Sequence, residues 1–280
     1  MSMNSKSIKR KISSVNSTMQ ITKAMELVST AKLRKTRIAL ETAKPYFSAI
    51  YESVVEAISH DRTLSHPLLD QKENGKKLVL VITADRGLCG GYNINAIKTA
   101  ERLIDKNTDD LITIGTKALD YFTNRGYNVI DSFVGISEEP SLENSYDIGA
   151  KVTEAFLTQE YKSVELVFTL FKSTIEQQVK VMDILPFKRP DESKITNVIY
   201  EPSQYEVLSH LIPTYVNNSV YAGLMESSAS EQAARRLAME NATNNAQDMI
   251  EQLGFKYNQA RQAAITQELS EIVGGAEALQ

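Results

Sequence analysis

The sequence predicts an α/β protein: two long terminal helices that pair antiparallel, and between them a mostly parallel sheet covered on both faces. Three observations carry this reading. Glycine and proline are concentrated in the middle: the first proline is Pro45, the first glycine is Gly75, and beyond Pro213 only Gly223, Gly254, Gly274 and Gly275 remain. Apolar residues in the two terminal stretches recur at steps of three, four or seven, the period of a helical seam. The middle alternates short apolar runs with amphipathic segments, the pattern of strands joined by helical crossovers.

The N-terminal stretch reads as one helix over 1–60. Its seam runs through Ile8, Ile12, Val15 and Met19, then continues after a change of phase through Ala24, Met25, Val28 and Ala31. Around Met25 the apolar arc widens to include Leu27, which implies contact with more than one neighbour. The stretch 207–280 reads as the second helix, with seam positions that include Leu211, Tyr215, Met225, Ala229, Ala233 and Leu253. At 1.5 Å per residue, helices of about 55 and 65 residues extend roughly 80 and 100 Å, whereas a body of about 130 residues has a radius of gyration near 14 Å. Such helices must project beyond that body, most economically by holding each other.

The middle domain, over 75–200, is expected to contain strands at 77–83 (KLVLVIT), 111–115, 128–131 and 163–171, with helices at 93–103, 116–125 and 141–159. The run 177–185 alternates and follows a turn, so it reads as an antiparallel edge strand.

Composition excludes several classes. The chain is 42% apolar and 24% charged, as ordinary globular proteins are. Its one cysteine, Cys89, excludes an intramolecular disulfide and a cysteine-rich zinc site. No apolar run approaches the 18 residues of a membrane span. The histidines (His60, His66, His210) are too scattered for a metal cluster. The net charge of −4 hides a gradient: 1–45 carries +8, 46–206 carries −8 and 207–280 carries −4. A basic terminus favours an acidic or polyanionic partner. The opening segment imitates a mitochondrial presequence, being basic, Ser-rich and free of acids, but its apolar period runs on unbroken into the next segment.

The sharpest local feature is Asp85-Arg86-Gly87-Leu88-Cys89-Gly90-Gly91, directly after the first strand. Glycine-rich strand-to-helix turns bind phosphate in doubly wound folds, but this one has neither the dinucleotide G-x-G-x-x-G spacing nor the Gly-Lys-Ser/Thr of a P-loop. The glycines read better as the makers of a tight turn. A helix N-terminus near Cys89 would lower its thiol pKa, yet no histidine lies nearby, and a small half-buried residue is the plainer reading. The basic cluster Lys6, Lys9, Arg10 and Lys11 has no aromatic partners before Tyr46, which disfavours a nucleic-acid reader and an interfacial membrane helix. The block Arg261–Glu271 is rich in Arg, Gln and Thr donors suited to hydrogen bonding with a partner protein.

Three motifs together resemble the gamma subunits of F-type ATP synthases: Ile21-Thr22-Lys23-Ala24-Met25-Glu26-Leu27-Val28, the Asp85–Gly91 turn, and Ile265-Thr266-Gln267-Glu268 followed by Glu271 and Gly275-Ala276. They occur in the family's order and at the family's ends of the chain. The resemblance implies a left-handed antiparallel coiled coil and a Rossmann-like middle domain. It implies a non-catalytic rotor shaft that couples ion-driven rotation of the membrane c ring to the catalytic beta subunits. It places Met25, Arg235, Arg261, Gln262, Thr266 and Glu268 at coupling contacts with beta subunits, and Tyr200 and Glu201 at a foot near the c ring. The implied partners are the alpha and beta subunits, epsilon and the c ring, around a single copy of this chain, with no nucleic acid. This chain is expected to bind no cofactor, the alpha and beta subunits holding ATP, ADP and Mg. The implied location is the cytoplasmic face of a bacterial membrane, peripherally attached.

Overall fold

The computed structural model describes residues 5–60, 64–158, 161–189 and 198–277. Residues 1–4 of the basic opening segment, and 190–197 near the end of the expected middle domain, lie outside them. The order is α1 (Ser5–His60), β1 (Lys76–Ile82), α2 (Tyr92–Leu103), β2 (Asp110–Ile114), α3 (Thr116–Asn124), β3 (Asn128–Phe133), α4 (Leu142–Thr158), β4 (Tyr161–Phe171), β5 (Gln177–Leu185) and α5 (Gln204–Glu277).

The five strands form one sheet in the order β3-β2-β1-β4-β5. All neighbours are parallel except β4 and β5, the hairpin that closes one edge. β1 and β2 are buried from end to end, apart from the first two residues of β1, and this explains why their sequences are continuous rather than alternating. Successive side chains of a strand point to opposite faces, so β1 feeds two cores. Leu78, Leu80 and Ile82 face a cluster built with Val54, Ile58, Ile148, Phe156, Leu208, Ile212 and Val216. Val79 and Val81 face the smaller cluster of Ile97, Ala100, Ala118 and Phe122. The first cluster therefore uses the end of α1 and the start of α5, as well as the crossover helix α4, to cover one face of the sheet.

The chain divides into two compact units, Thr30–Arg235 and the pair of segments Met1–Ser29 and Arg236–Gln280. In the larger unit, Phe47 meets Tyr221 edge to face at 5.8 Å, Tyr51 lies 6.2 Å from Tyr215, and Gln204 donates to the Ala57 carbonyl. Advance along α1 is thus matched by retreat along α5, an antiparallel pairing. Pro45 and Pro213 both lie inside helices. An interior proline costs a helix about 3 kcal/mol. Here buried apolar neighbours flank each proline, Leu40 and Val54 on α1 and Leu208, Ile212 and Val216 on α5. In the smaller unit, Thr22 and Thr243 join the two helices through a 2.8 Å hydroxyl contact.

The α1 seam differs from its expected course. Ala24, Val28 and Ala31 are exposed, and the buried positions from Met19 to Leu40 are Thr22, Ser29, Leu33 and Leu40. No change of phase takes place: the spacing continues through small hydroxyl residues. Each hydroxyl has one proton, so one member of the pair donates across to the other, which in turn donates to a carbonyl of its own helix, that of Met19 for Thr22 or Met239 for Thr243. A seam filled by threonine and serine cannot be recognised by searching for apolar residues alone.

Candidate functional site

In this sheet β1 lies between β2 and β4, so the chain reverses direction of winding between β1 and β4. Crevices at such points, outside the carboxyl ends of the strands, bind ligands in open α/β sheets. Here α5 fills the crevice. Gly223 sits so close that a Cβ on it would meet Leu166 at 2.8 Å and Ile82 at 3.2 Å. Beyond the end of β1, α5 supplies the hydrogen bonds that a further strand would have given to β4. The Thr169 N–H donates to Ser227 Oγ, Ser230 Oγ donates to the Thr169 carbonyl, and the Phe171 N–H donates to the Glu226 carboxylate, at 3.1, 3.0 and 2.9 Å. Lys44 of α1 approaches the same carboxylate at 3.6 Å. A helix that satisfies the strand end in this way occupies the place where a nucleotide would bind.

The glycine-rich turn stands over this region. Asp85 is its hub: the Thr116 N–H and hydroxyl both donate to one carboxylate oxygen, at 3.1 and 3.0 Å, and Ser137 Oγ donates to the other at 2.8 Å. Burial works against the charge of Asp85, but hydrogen bonds from Gly135, Ser137 and Thr116 outweigh it and hold the carboxyl below its ordinary range. Asn93 accepts from the Ala84 N–H at 2.8 Å and so closes the turn from the other side. Leu88 adopts φ 61 and Gly90 φ 57. The left-handed conformation suits Gly90 but strains a leucine. That strained leucine is 64% exposed, while its neighbour Cys89 is 1% exposed. Burial pushes the Cys89 thiol up, the opposite of the reactive-thiol reading; Arg235 offsets only part of that.

The family resemblance places Arg235 among the coupling residues, and within this chain it is buried. Its Nη1 lies 2.7 Å from Glu231 Oε1, and its Nη2 donates to the Gly87 carbonyl at 3.4 Å. Glu231 is wholly buried, and neither of its oxygens has an aligned hydrogen-bond donor. Burial pushes its carboxyl up, the Arg235 guanidinium pulls it down, and Glu138 and Asp85 add to the push. Glu138 is held below its usual range chiefly by its hydrogen bond from Lys32 at 2.6 Å, and Arg86 adds to this from 3.7 Å. Sequence reading missed Glu231, although one signal was available: Glu-Ser-Ser-Ala-Ser-Glu at 226–231 is a polar run inside an otherwise small and apolar helix segment.

The remaining candidates are dispersed. Tyr200 is half-buried and packs on the main core, with its hydroxyl pKa raised by burial, and Glu201 beside it is exposed. In the smaller unit Met25 is half-buried next to the Lys23–Glu26 ion pair, and Ile21, Leu27 and Val28 nearby are exposed. Arg261, Gln262, Thr266 and Glu268 are all exposed, as is every residue from Arg261 to Gly274. In that stretch Ile265, Leu269 and Ile272 fall at steps of four and three, an uncovered apolar stripe. Thr266 donates back to the Gln262 carbonyl at 3.0 Å and Gln267 donates to Glu271 at 2.9 Å, both within the helix.

Comparison with known proteins agrees with this arrangement. A family model described as ATP synthase matches residues 4–279. The chain is 45% identical to the sodium-ion-specific ATP synthase gamma chain of Acetobacterium woodii, over the whole of both chains. It is 47% identical to the ATP synthase gamma chain of Alkaliphilus metalliredigens, over 98% of each. Among solved structures, a chain of the central stalk and c ring of the Tetrahymena thermophila mitochondrial ATP synthase aligns with TM-score 0.63 and 26% identity, over 79% of this chain and 99% of that one. A rotor chain of the Euglena gracilis enzyme shares the fold at TM-score 0.68 and 19% identity, over 93% and 98%. With its filled crevice, its paired terminal helices and relatives that match from end to end, this chain belongs to the gamma-chain family of ATP synthases.

Proposed function

We propose that this chain is the central shaft of a rotary ATP synthase and carries torque without doing chemistry. The observation that carries the reading is the end of α5. Arg261–Gly274 is helical, exposed throughout and striped with Ile265, Leu269 and Ile272. An apolar stripe on an uncovered helix suits a surrounding protein sleeve, and Arg261, Gln262, Thr266 and Glu268 around it supply hydrogen bonds to a beta subunit. Met25, with exposed Ile21, Leu27 and Val28, supplies a second contact with a beta subunit, and Tyr200 and Glu201 belong to the foot on the c ring. ATP, ADP and Mg are bound by the alpha and beta subunits. Epsilon and the c ring complete the rotor around one copy of this chain, held peripherally at the cytoplasmic face of the membrane.

A shaft changes the affinity of a catalytic site only through contacts whose free energy differs from one angular position to the next. Exposed polar groups at fixed places on a helix provide such contacts, made with one ring subunit at a time. The test is to express the tagged chain in its native host, purify it in mild detergent and assay the eluate for ATPase. Co-elution of two larger subunits with azide-sensitive ATPase is expected. A clean monomer or dimer without ATPase overturns the proposal.

A further inference from the structure

Resting on the rotor reading, we infer that Glu231 is a positioning residue for coupling: it fixes the Arg235 guanidinium, which in turn anchors the Gly87 carbonyl and so holds the turn that presents Leu88. The contacts form one line. Glu231 is wholly buried on α5, and one helical turn later Arg235 meets its carboxylate at 2.7 Å. The other arm of the same guanidinium reaches the Gly87 carbonyl at 3.4 Å. Gly87 precedes Leu88, whose left-handed backbone and exposed side chain are features that persist only where surrounding structure imposes them. The flanks of the turn are fastened from elsewhere, Asp85 by Thr116 and Ser137, and Ala84 by Asn93. A buried carboxylate is costly to keep, and on stability grounds alone an apolar residue would serve as well. Its presence here is explained by the fixed orientation it gives Arg235. The guanidinium meets the Glu231 carboxylate by charge at one terminal nitrogen and donates to the Gly87 carbonyl from the other, whereas a lysine has a single nitrogen for both contacts.

The experiment uses the assembled complex in inverted membrane vesicles, and reads ion pumping per ATP hydrolysed. A merely structural defect lowers assembly, hydrolysis and pumping together and leaves that ratio unchanged. Glu231→Gln is expected to lower the ratio at least threefold. Arg235→Gln is expected to lower it similarly, and the double variant to do no worse than the more severe single one. A wild-type ratio in Glu231→Gln overturns the inference, and so do losses that multiply in the double variant, since the two residues would then act independently. Should Glu231→Gln not assemble, Arg235→Lys decides: a lowered ratio supports the two-nitrogen link from Glu231 to Gly87, and a wild-type ratio overturns it. The wild-type vesicles keep the two proposals apart. Pumping by wild type upholds the rotor whatever Glu231 does, and wild-type complex that neither hydrolyses ATP nor pumps rejects the rotor itself.

Discussion

Met25 is half-buried on a face whose neighbours Ile21, Leu27 and Val28 are exposed, and Lys23 and Glu26 are already paired beside it at 3.1 Å. A flexible thioether suits a contact that must form and break repeatedly. Met25→Lys adds a cation free to pair with an acidic partner surface, so one angular position becomes favoured over the others. The fold and ATP hydrolysis are expected to survive, with ion pumping per ATP hydrolysed reduced several-fold. An unchanged ratio in membrane vesicles would remove Met25 from the coupling contacts. His66 presents a different residue-scale case. Its Nδ1 accepts from the Leu68 N–H at 3.2 Å, so the neutral ring carries its proton on Nε2 and donates to Ser209 Oγ at 3.1 Å. Burial lowers its pKa below 6.5, against a smaller upward pull from Asp70. For a base whose folded pKa is depressed, the unfolded chain takes up the proton first. Its contribution to stability is therefore complete above the unfolded pKa near 6.5 and is lost as pH falls from there through the folded value. Melting temperature between neutral and mildly acid pH is expected to fall less steeply for His66→Gln than for wild type. Parallel slopes would show that His66 contributes nothing to the pH dependence.

The elements of the middle region were legible because each carries its own period. KLVLVIT gave a buried strand, and the alternation at 177–185 gave the antiparallel edge, which β5 forms against β4 over Phe171↔Gln177 to Val164↔Leu185. The covering of the sheet was less legible, since nothing local in 54–58 or 208–216 distinguishes a helix that packs on a sheet from one that packs only on its partner. The Thr22–Ser29 seam was hidden because its buried residues are polar, and the Glu231–Arg235 pair because a charged i,i+4 pair ordinarily marks a solvated helix face. All the proposed coupling residues entered through the family resemblance, and among them Arg235 is the one that is buried and paired within this chain. Gly115 shows what sequence pattern does not reveal about a turn. It has φ 91, and a Cβ there would lie 2.2 Å from the Thr83 carbonyl oxygen. Gly115→Ala combines that clash with a left-handed penalty, and destabilisation of about 3 kcal/mol is expected. Thermal or urea unfolding measures this, and a loss under about 1 kcal/mol would mean that the β2–α3 junction relaxes freely.

At the scale of the whole molecule, each compact unit has its own part in the account. The larger unit, Thr30–Arg235, buries its sheet between two clusters and fills its own ligand crevice with α5, which suits a load-bearing body. The smaller unit, Met1–Ser29 with Arg236–Gln280, buries Thr22 and Ser29 along with Ile8, Met239, Ala246 and Leu253 and leaves Arg261–Gly274 uncovered, which suits a shaft end that must slide against its surroundings. No helix among the described residues is long and apolar enough to cross a membrane. The central claim is that this chain turns inside its complex. The most direct measurement fixes the purified complex by its catalytic ring and attaches a visible probe to the exposed α2–β2 turn, through Asn107→Cys in a Cys89→Ala background. Addition of ATP is expected to drive continuous rotation of the probe in one direction, stopping when ATP is removed. A probe that stays still while the same molecules hydrolyse ATP would contradict the account.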